Sequence, residues 1–167
     1  MKSMAEWIEK LGLAKHPEGG YFREVYRSSE SIPKSGLPDR YDGPRAFSTG
    51  IFYLLPGTEI SCFRRLRSDE LLHFYEGGEL GLFIIGPEGE LREIRLGPDA
   101  DVGHVRLAIV PSGCWFGAAV RDPESYALLG CTVAPGFDWT DFELGERGML
   151  LALYPQHHAI IRMLTRP

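Results

Sequence analysis

The residues best suited to chemistry lie between positions 60 and 77, where Arg64 and Glu70 stand in a strand-like segment. A glutamate can act as a base, and an arginine offers a planar fork of donors to a phosphate or a carboxylate. Zinc, iron or manganese needs three or four imidazole or carboxylate donors that converge on one point. A guanidinium has no lone pair to give, so this segment predicts acid–base or binding chemistry without a tightly held metal.

The spacing around Glu70 resembles the metal motif of the cupins. In that motif a strand ends in His-x-His, a glutamate follows, and a turn glycine closes the hairpin. Glu70 and Gly77 fit this spacing, but Arg64 and Leu66 occupy the two histidine positions. The resemblance therefore implies the scaffold of a metal site without most of its ligands.

The second half of the cupin pattern is also incomplete. It normally reads Pro-x-Gly and has a histidine three residues after the glycine. Pro111 and Gly113 match, while Phe116 takes the histidine position. Because a lone carboxylate does not hold a transition metal tightly, we expect no metal and no other cofactor at this site.

Beyond the general motif, the chain resembles one cupin branch, the cupin-5 or DUF985 family. Five segments carry this resemblance, in order along nearly the whole chain: His16–Ser28, Ile51–Leu55, Ser68–Tyr75, Val110–Phe116 and Gly130–Asp138. Two positions depart from the family, which often has histidine where Arg64 stands and tryptophan where Leu72 stands. The resemblance implies a jelly-roll barrel whose function is largely uncharacterised.

The two ends of the chain are predicted to be helical. Ser3 and Glu6 form a capping box, and Gly12 supplies a left-handed stop, which predicts a helix over residues 3–12. A second helix is expected at about residues 155–165, with Pro155 in its first turn.

Between these helices, short apolar segments alternate with Gly- and Pro-containing turns, at the spacing of an all-β barrel or sandwich. The predicted fold is a single jelly-roll (double-stranded β-helix) cupin domain over residues 1–167. Its barrel is expected at about residues 20–154.

Strand parity predicts which side chains reach the barrel interior, because alternate residues of a strand share one face. With Glu70 inward, Leu72 and Phe74 follow it, and His73 faces outward. The predicted ligand-binding set is Arg64, Glu70, Leu72, Phe74, Phe116, Glu24, Tyr26 and Tyr53. The catalytic candidates are Glu70, Glu24, Tyr26 and His73.

Each candidate also has a structural interpretation. Arg64 and Glu70 can form an inert buried ion pair that fills the barrel. His73 can be a hydrogen-bonded histidine at a sheet or dimer contact. The interior tyrosine expected at position 53 is as typical of a core as of an active site.

The charge and composition of the chain argue against nucleic-acid binding and membrane insertion. The formal charge is -5, and such a chain has no basic surface for a nucleic acid backbone. We expect no membrane span, because no apolar stretch approaches the necessary length. The N-terminus is amphipathic, where a signal peptide would have a continuous apolar core, and this predicts a cytoplasmic location. Cys62, Cys114 and Cys131 are odd in number and lie in apolar contexts, which favours reduced thiols. Because sheet edges must be covered, we expect a homodimer.

Three functions remain open. The first is a metal-independent enzyme that binds a small polar or anionic metabolite, similar to sugar or nucleotide-sugar epimerases and isomerases of this fold. The second is a non-catalytic module that binds or senses a small molecule. The third, a metal-dependent oxygenase or isomerase, is disfavoured because the ligand positions hold other residues.

Overall fold

The computed structural model describes residues 2–167 as thirteen β-strands and three α-helices. The helices are α1 (Met4–Leu11), α2 (Arg147–Leu153) and α3 (His158–Met163). The strands are β1 (Ala14–Lys15), β2 (Tyr21–Arg27), β3 (Ser31–Ile32), β4 (Arg45–Ala46), β5 (Thr49–Pro56), β6 (Ile60–Arg65), β7 (Asp69–Gly77), β8 (Leu80–Ile85), β9 (Leu91–Leu96), β10 (Leu107–Val110), β11 (Trp115–Val120), β12 (Tyr126–Ala134) and β13 (Glu143–Leu144).

Two antiparallel sheets face one another and enclose the main core. The six-stranded sheet has the order β1-β2-β5-β12-β7-β10, and the five-stranded sheet has the order β13-β6-β11-β8-β9. Alternate apolar residues from both sheets meet in one buried cluster that includes Leu72, Phe74, Leu82 and Phe116. This jelly-roll sandwich is the all-β fold that the strand and turn pattern predicted.

Helix α1 covers one outer face of the sandwich. Ser3 caps it in a capping box with Glu6, and Gly12 ends it in the left-handed conformation. Its apolar side packs on Leu54 and Leu128 of the six-stranded sheet. The local signals placed this helix correctly because its cap, its apolar face and its stop all agree.

The C-terminal segment differs from the sequence prediction. The barrel was expected to continue to about residue 154, but residues 147–153 form α2, and a short 3-10 turn at Pro155–His157 leads into α3. Leu150 and Ile161 from these helices pack against Phe63 and Trp115 of the five-stranded sheet. A short apolar run such as residues 149–153 has no periodicity that separates a buried helix from a strand. No helix within residues 2–167 is long and apolar enough to cross a membrane.

A short segment after β12, residues 137–142, crosses one end of the sandwich and is called the aromatic strap here. It is anchored by a buried ion pair, in which Arg45 donates from Nε to Asp141 Oδ2 at 2.7 Å and from a terminal nitrogen to Oδ1 at 2.6 Å. Arg45 also donates to the exposed Asp42 at 2.8 Å. The backbone N–H of Phe137 donates to Thr49 Oγ1 at 2.9 Å.

Removing the buried partner of Arg45 should loosen the strap and destabilise the protein. We expect Asp141→Ala to lower the free energy of unfolding by about 3 kcal/mol, near the lower end for a broken buried pair because Asp42 still accepts from Arg45. The measurement is equilibrium denaturation in urea. Asp42→Ala is the matched control on the same arginine, and it should change stability little because Asp42 is exposed. A loss with Asp42→Ala as large as that with Asp141→Ala would contradict this account.

Candidate functional site

A cavity opens at the end of the sandwich where β6 finishes and β7 begins. It has about 650 Å³ of empty space, including its open mouth. Its lining combines aromatic and apolar side chains with a few ionisable groups: His16, Glu18, Phe22, Glu24, Arg27, Thr49, Ile51, Tyr53, Arg64, Leu66, Glu70, Cys131, Val133, Phe137, Trp139 and Phe142. Concave, mostly apolar sites with a few placed polar groups are typical of small-molecule binding.

The aromatic strap forms one wall of the cavity. The ring centroids of Phe137 and Trp139 lie 4.9 Å apart, and those of Trp139 and Phe142 lie 5.4 Å apart, with both pairs edge to face. His16 approaches Trp139 at 5.9 Å and Phe22 at 4.5 Å. Trp139 is half exposed, so a ring face is available at the mouth.

Three buried charged residues, Glu18, Arg64 and Glu70, are called the charged cluster here. Arg64 Nε lies 2.6 Å from Glu18 Oε2, and an Arg64 terminal nitrogen donates to Ser61 Oγ at 2.6 Å. Ser61 Oγ in turn donates to Glu18 Oε1 at 3.1 Å. The Arg64 guanidinium also lies 4.0 Å above the Phe116 ring, which adds a cation–π contact. The cluster therefore holds one cation and two carboxyl groups.

Glu18 reaches the barrel through a tight turn at residues 16–20. Gly19 and Gly20 have φ of 114° and 75°, and a Cβ on Gly19 would overlap the Ile60 carbonyl oxygen. The Glu18 carbonyl accepts from the Cys62 N–H at 3.0 Å. Glycine is therefore required at position 19, because only a residue without a Cβ lets this turn pack against β6 with Glu18 directed into the barrel.

Burial changes the proton affinity of both carboxyl groups. Desolvation, opposed by Arg64 and reinforced by the nearby Glu70, raises the pKa of Glu18 to about 7. Desolvation also raises the pKa of Glu70. The Arg64 charge and a hydrogen bond with the Cys131 thiol act in the opposite direction and lower it only in part. Two like charges beside one cation cannot both ionise freely, so the ionisation of one carboxyl group disfavours that of the other.

His16 is a neutral hydrogen-bond donor in this cavity. Desolvation, and to a lesser degree the Arg64 charge, lower the pKa of His16 to about 3. Its Nδ1 accepts the Glu18 backbone N–H at 3.1 Å, which leaves the proton on Nε2. Although Nδ1 lies 3.9 Å from Glu18 Oε1, the neutral ring makes this a contact and not an ion pair.

Comparisons with known proteins identify the family of this chain. A family model described as "Cupin superfamily (DUF985)" matches residues 5–145. The chain belongs to this family. An uncharacterised relative, protein YML079W of Saccharomyces cerevisiae, is 29% identical over 174 residues, which cover 98% of this chain and 86% of the relative.

Solved structures show the same fold. Protein SO0799 of Shewanella oneidensis is 40% identical with a TM-score of 0.90, and covers 100% of this cupin and 99% of its own chain. A hypothetical protein from Leishmania major is 32% identical with a TM-score of 0.89, covering 99% and 100% of the two chains. Oxalate decarboxylase from Bacillus subtilis shares only the fold, at 15% identity and a TM-score of 0.56, over 90% of this chain and 36% of that one.

The residues at the cupin metal positions do not fit a metal ion. Arg64 and Phe116 are register partners on β6 and β11, so a cation and an apolar ring face each other where ligands would converge. Within residues 2–167 no group of three or more His, Cys, Asp or Glu side chains is placed to hold a metal. The donor set of this cavity is therefore suited to proton transfer and hydrogen bonding.

The structure brings together some of the predicted site residues. Arg64, Glu70, Tyr53 and Glu24 line the cavity, and Tyr53 donates its hydroxyl to the Gly19 carbonyl at 2.7 Å. Three others lie deeper in the barrel core and do not line the cavity: Leu72, Phe74 and Phe116. The ion-pair partner of Arg64 is Glu18, where the sequence suggested Glu70.

Two catalytic candidates lie away from the cavity. Tyr26 was expected on the same face as Glu24, but a bulge between them turns Tyr26 outward, where it is 54% exposed. The same bulge brings Arg27 to the mouth, where it forms a two-pronged ion pair with Glu24 at 2.9 and 2.8 Å. His73 faces outward as strand parity indicated, and its Nε2 contacts Thr132 Oγ1 at 3.2 Å.

Sequence reasoning missed His16, Glu18 and the strap aromatics as site residues. The His-Pro-Glu-Gly-Gly run at residues 16–20 was a usable signal, because paired glycines after a buried carboxylate indicate a close backbone approach. The strap offered a weaker signal in its three aromatics, Phe137, Trp139 and Phe142, spaced among acidic residues.

The raised pKa of Glu18 predicts a specific dependence of stability on pH. The folded protein keeps a proton that the unfolded chain releases between pH 4.5 and about 7, so the free energy of unfolding falls as the pH rises through this window. Between pH 5 and pH 8 we expect the free energy of unfolding to decrease by on the order of 2–3 kcal/mol more in the unmodified protein than in the Glu18→Gln variant. Urea denaturation at each pH measures it. The control is Glu124→Gln, at an exposed turn, which should show the same pH dependence of stability as the unmodified protein. If Glu18→Gln also showed that pH dependence, the raised pKa would not belong to Glu18.

Proposed function

We propose that this cupin binds a small polar metabolite in the cavity and transfers a proton on it without a metal, as an epimerase or isomerase of sugars or nucleotide sugars does. The observation that carries the proposal is a pair of buried carboxyl groups with raised pKa values, that of Glu18 to about 7, which line the same cavity as a neutral histidine donor. A general acid or base is most effective when its pKa lies near the working pH.

Each group has a role that its contacts support. Glu70 faces the cavity and is the proposed base, while Glu18 and Arg64 hold the charge balance around it. His16 Nε2–H is placed to donate to a ligand oxygen, since its Nδ1 is already occupied. An anionic ligand is less favoured than a neutral polar one, because Glu18 already neutralises Arg64. The three thiols are buried and unpaired, which supports a reducing, cytoplasmic location.

Binding in the cavity is testable with neutral monosaccharides. A ligand that stacks on Trp139 should raise the melting temperature of the unmodified protein by mass action, and Trp139→Ala should lose that shift. Phe47→Ala is the control, because Phe47 is about as exposed but does not line the cavity. A shift that survives in Trp139→Ala would place the ligand elsewhere and count against the cavity.

Turnover separates the enzyme from the alternative, a non-catalytic binding module. Bound ligands with a carbonyl group beside a C–H bond are incubated in D₂O and followed by proton NMR. The unmodified protein should exchange that hydrogen for deuterium, and Glu70→Gln should not. Binding without exchange for every such ligand would support the binding module.

We also propose a homodimer through the uncovered part of the six-stranded sheet. Its outer face exposes Tyr26, Tyr75, Leu107 and Ile109, and this apolar area continues to the edge strand β10. An apolar face can meet its own copy about a two-fold axis. A contact of this kind would also cover the β10 edge.

Light scattering at micromolar concentration should give about twice the 18.7 kDa of one chain. Ile109→Glu should yield the single-chain mass, because each partner would bury a carboxylate in the contact. Leu153→Glu, an equally exposed position on α2, should leave the mass unchanged. A single-chain mass for the unmodified protein would exclude the dimer.

A further inference from the structure

The cavity lining holds more carboxyl groups than cationic side chains. At the mouth, Glu24 and Arg27 form an ion pair and cancel one another. In the charged cluster, Arg64 faces two carboxyl groups, Glu18 and Glu70, and only Glu18 makes an ion pair with it. The groups that face them from β5 and β12 are the Tyr53 hydroxyl and the Cys131 thiol, neither of which supplies positive charge.

Glu70 is the carboxyl group of the charged cluster that has no strong hydrogen-bond donor from the protein. It is 6% exposed and lines the cavity. Within residues 2–167 it forms no ion pair and accepts no hydrogen bond from an N–H or O–H group; its polar neighbour is the Cys131 thiol, a weak donor. No fully buried side-chain oxygen within residues 2–167 lacks a hydrogen-bond partner, so Glu70 is not left unsatisfied. A ligand that brought N–H groups to its cavity side would add stronger donors than the thiol.

The walls above Glu70 are suited to a positive charge. Phe22, Phe137, Trp139 and Phe142 surround the opening with π-systems, and the His16 ring among them is neutral. Aromatic faces attract organic cations through the ring quadrupole, most strongly where water is excluded. An anion would meet the same rings and two carboxyl groups with no free counter-charge.

We infer that the cavity recognises a small organic amine in its ammonium form, with Glu70 accepting its N–H groups and the aromatic strap packing on the rest of the molecule. The inference rests on the proposed use of the cavity as a ligand site, and it adds the charge class of the ligand. The polar metabolite of the proposed function is then one that carries an amino group.

The test uses three probes of one shape: benzylamine, benzyl alcohol and benzoate, titrated into the unmodified protein at pH 8 by calorimetry. We expect benzylamine to bind roughly tenfold or more tighter than benzyl alcohol, as a charge-assisted hydrogen bond implies, and benzoate to bind most weakly. This order needs no variant, so it remains decisive even if a substitution at Glu70 prevents folding.

The variant Glu70→Gln keeps the shape of the side chain and removes its charge. It should reduce the benzylamine affinity to near that of benzyl alcohol, while Glu124→Gln, on an exposed turn at the far end of the barrel, should leave all three affinities unchanged. Tighter binding of benzoate, or benzylamine binding that is insensitive to Glu70→Gln, would overturn the inference. If sugars bind in the cavity but none of the three probes does, the amine preference fails and the proposed function stands.

Discussion

The burial of one guanidinium governs the rest of the structure. Arg64 sits inside the barrel, so its charge must be paired there, and Glu18 is the residue that pairs it. That requirement brings the 16–20 turn onto β6 and places His16 at the cavity. It also leaves Glu70 as a second buried carboxyl group beside a cation that is already neutralised.

The charged cluster changes what a cupin scaffold can do. A guanidinium stands where the family motif places a metal ligand, and it provides positive charge without an open coordination position. The consequence is two buried carboxyl groups with raised pKa values, together with a histidine held neutral by burial. The proposed proton transfer and the proposed recognition of an amine both rely on that combination of groups.

A second buried ion pair shapes the entrance. Arg45 and Asp141 tie the aromatic strap to the small hairpin of β3 and β4, which fixes the rings of Phe137 and Trp139 against the cavity. Apart from a short 3-10 turn at Trp139–Asp141, the strap has no regular secondary structure. Its position therefore depends on side-chain contacts from a distant part of the chain.

The sequence by itself determined the fold class, the N-terminal helix and the family, because caps, turn glycines and alternating apolar residues are local signals that agree with one another. It also indicated Arg64 and Glu70 as buried polar groups. Only the tertiary structure decided which carboxylate pairs Arg64, because Glu18 lies far away along the chain. Likewise, the bulge in β2 that exchanges Tyr26 for Arg27 depends on pairing with β5, which a single strand's alternation does not reveal.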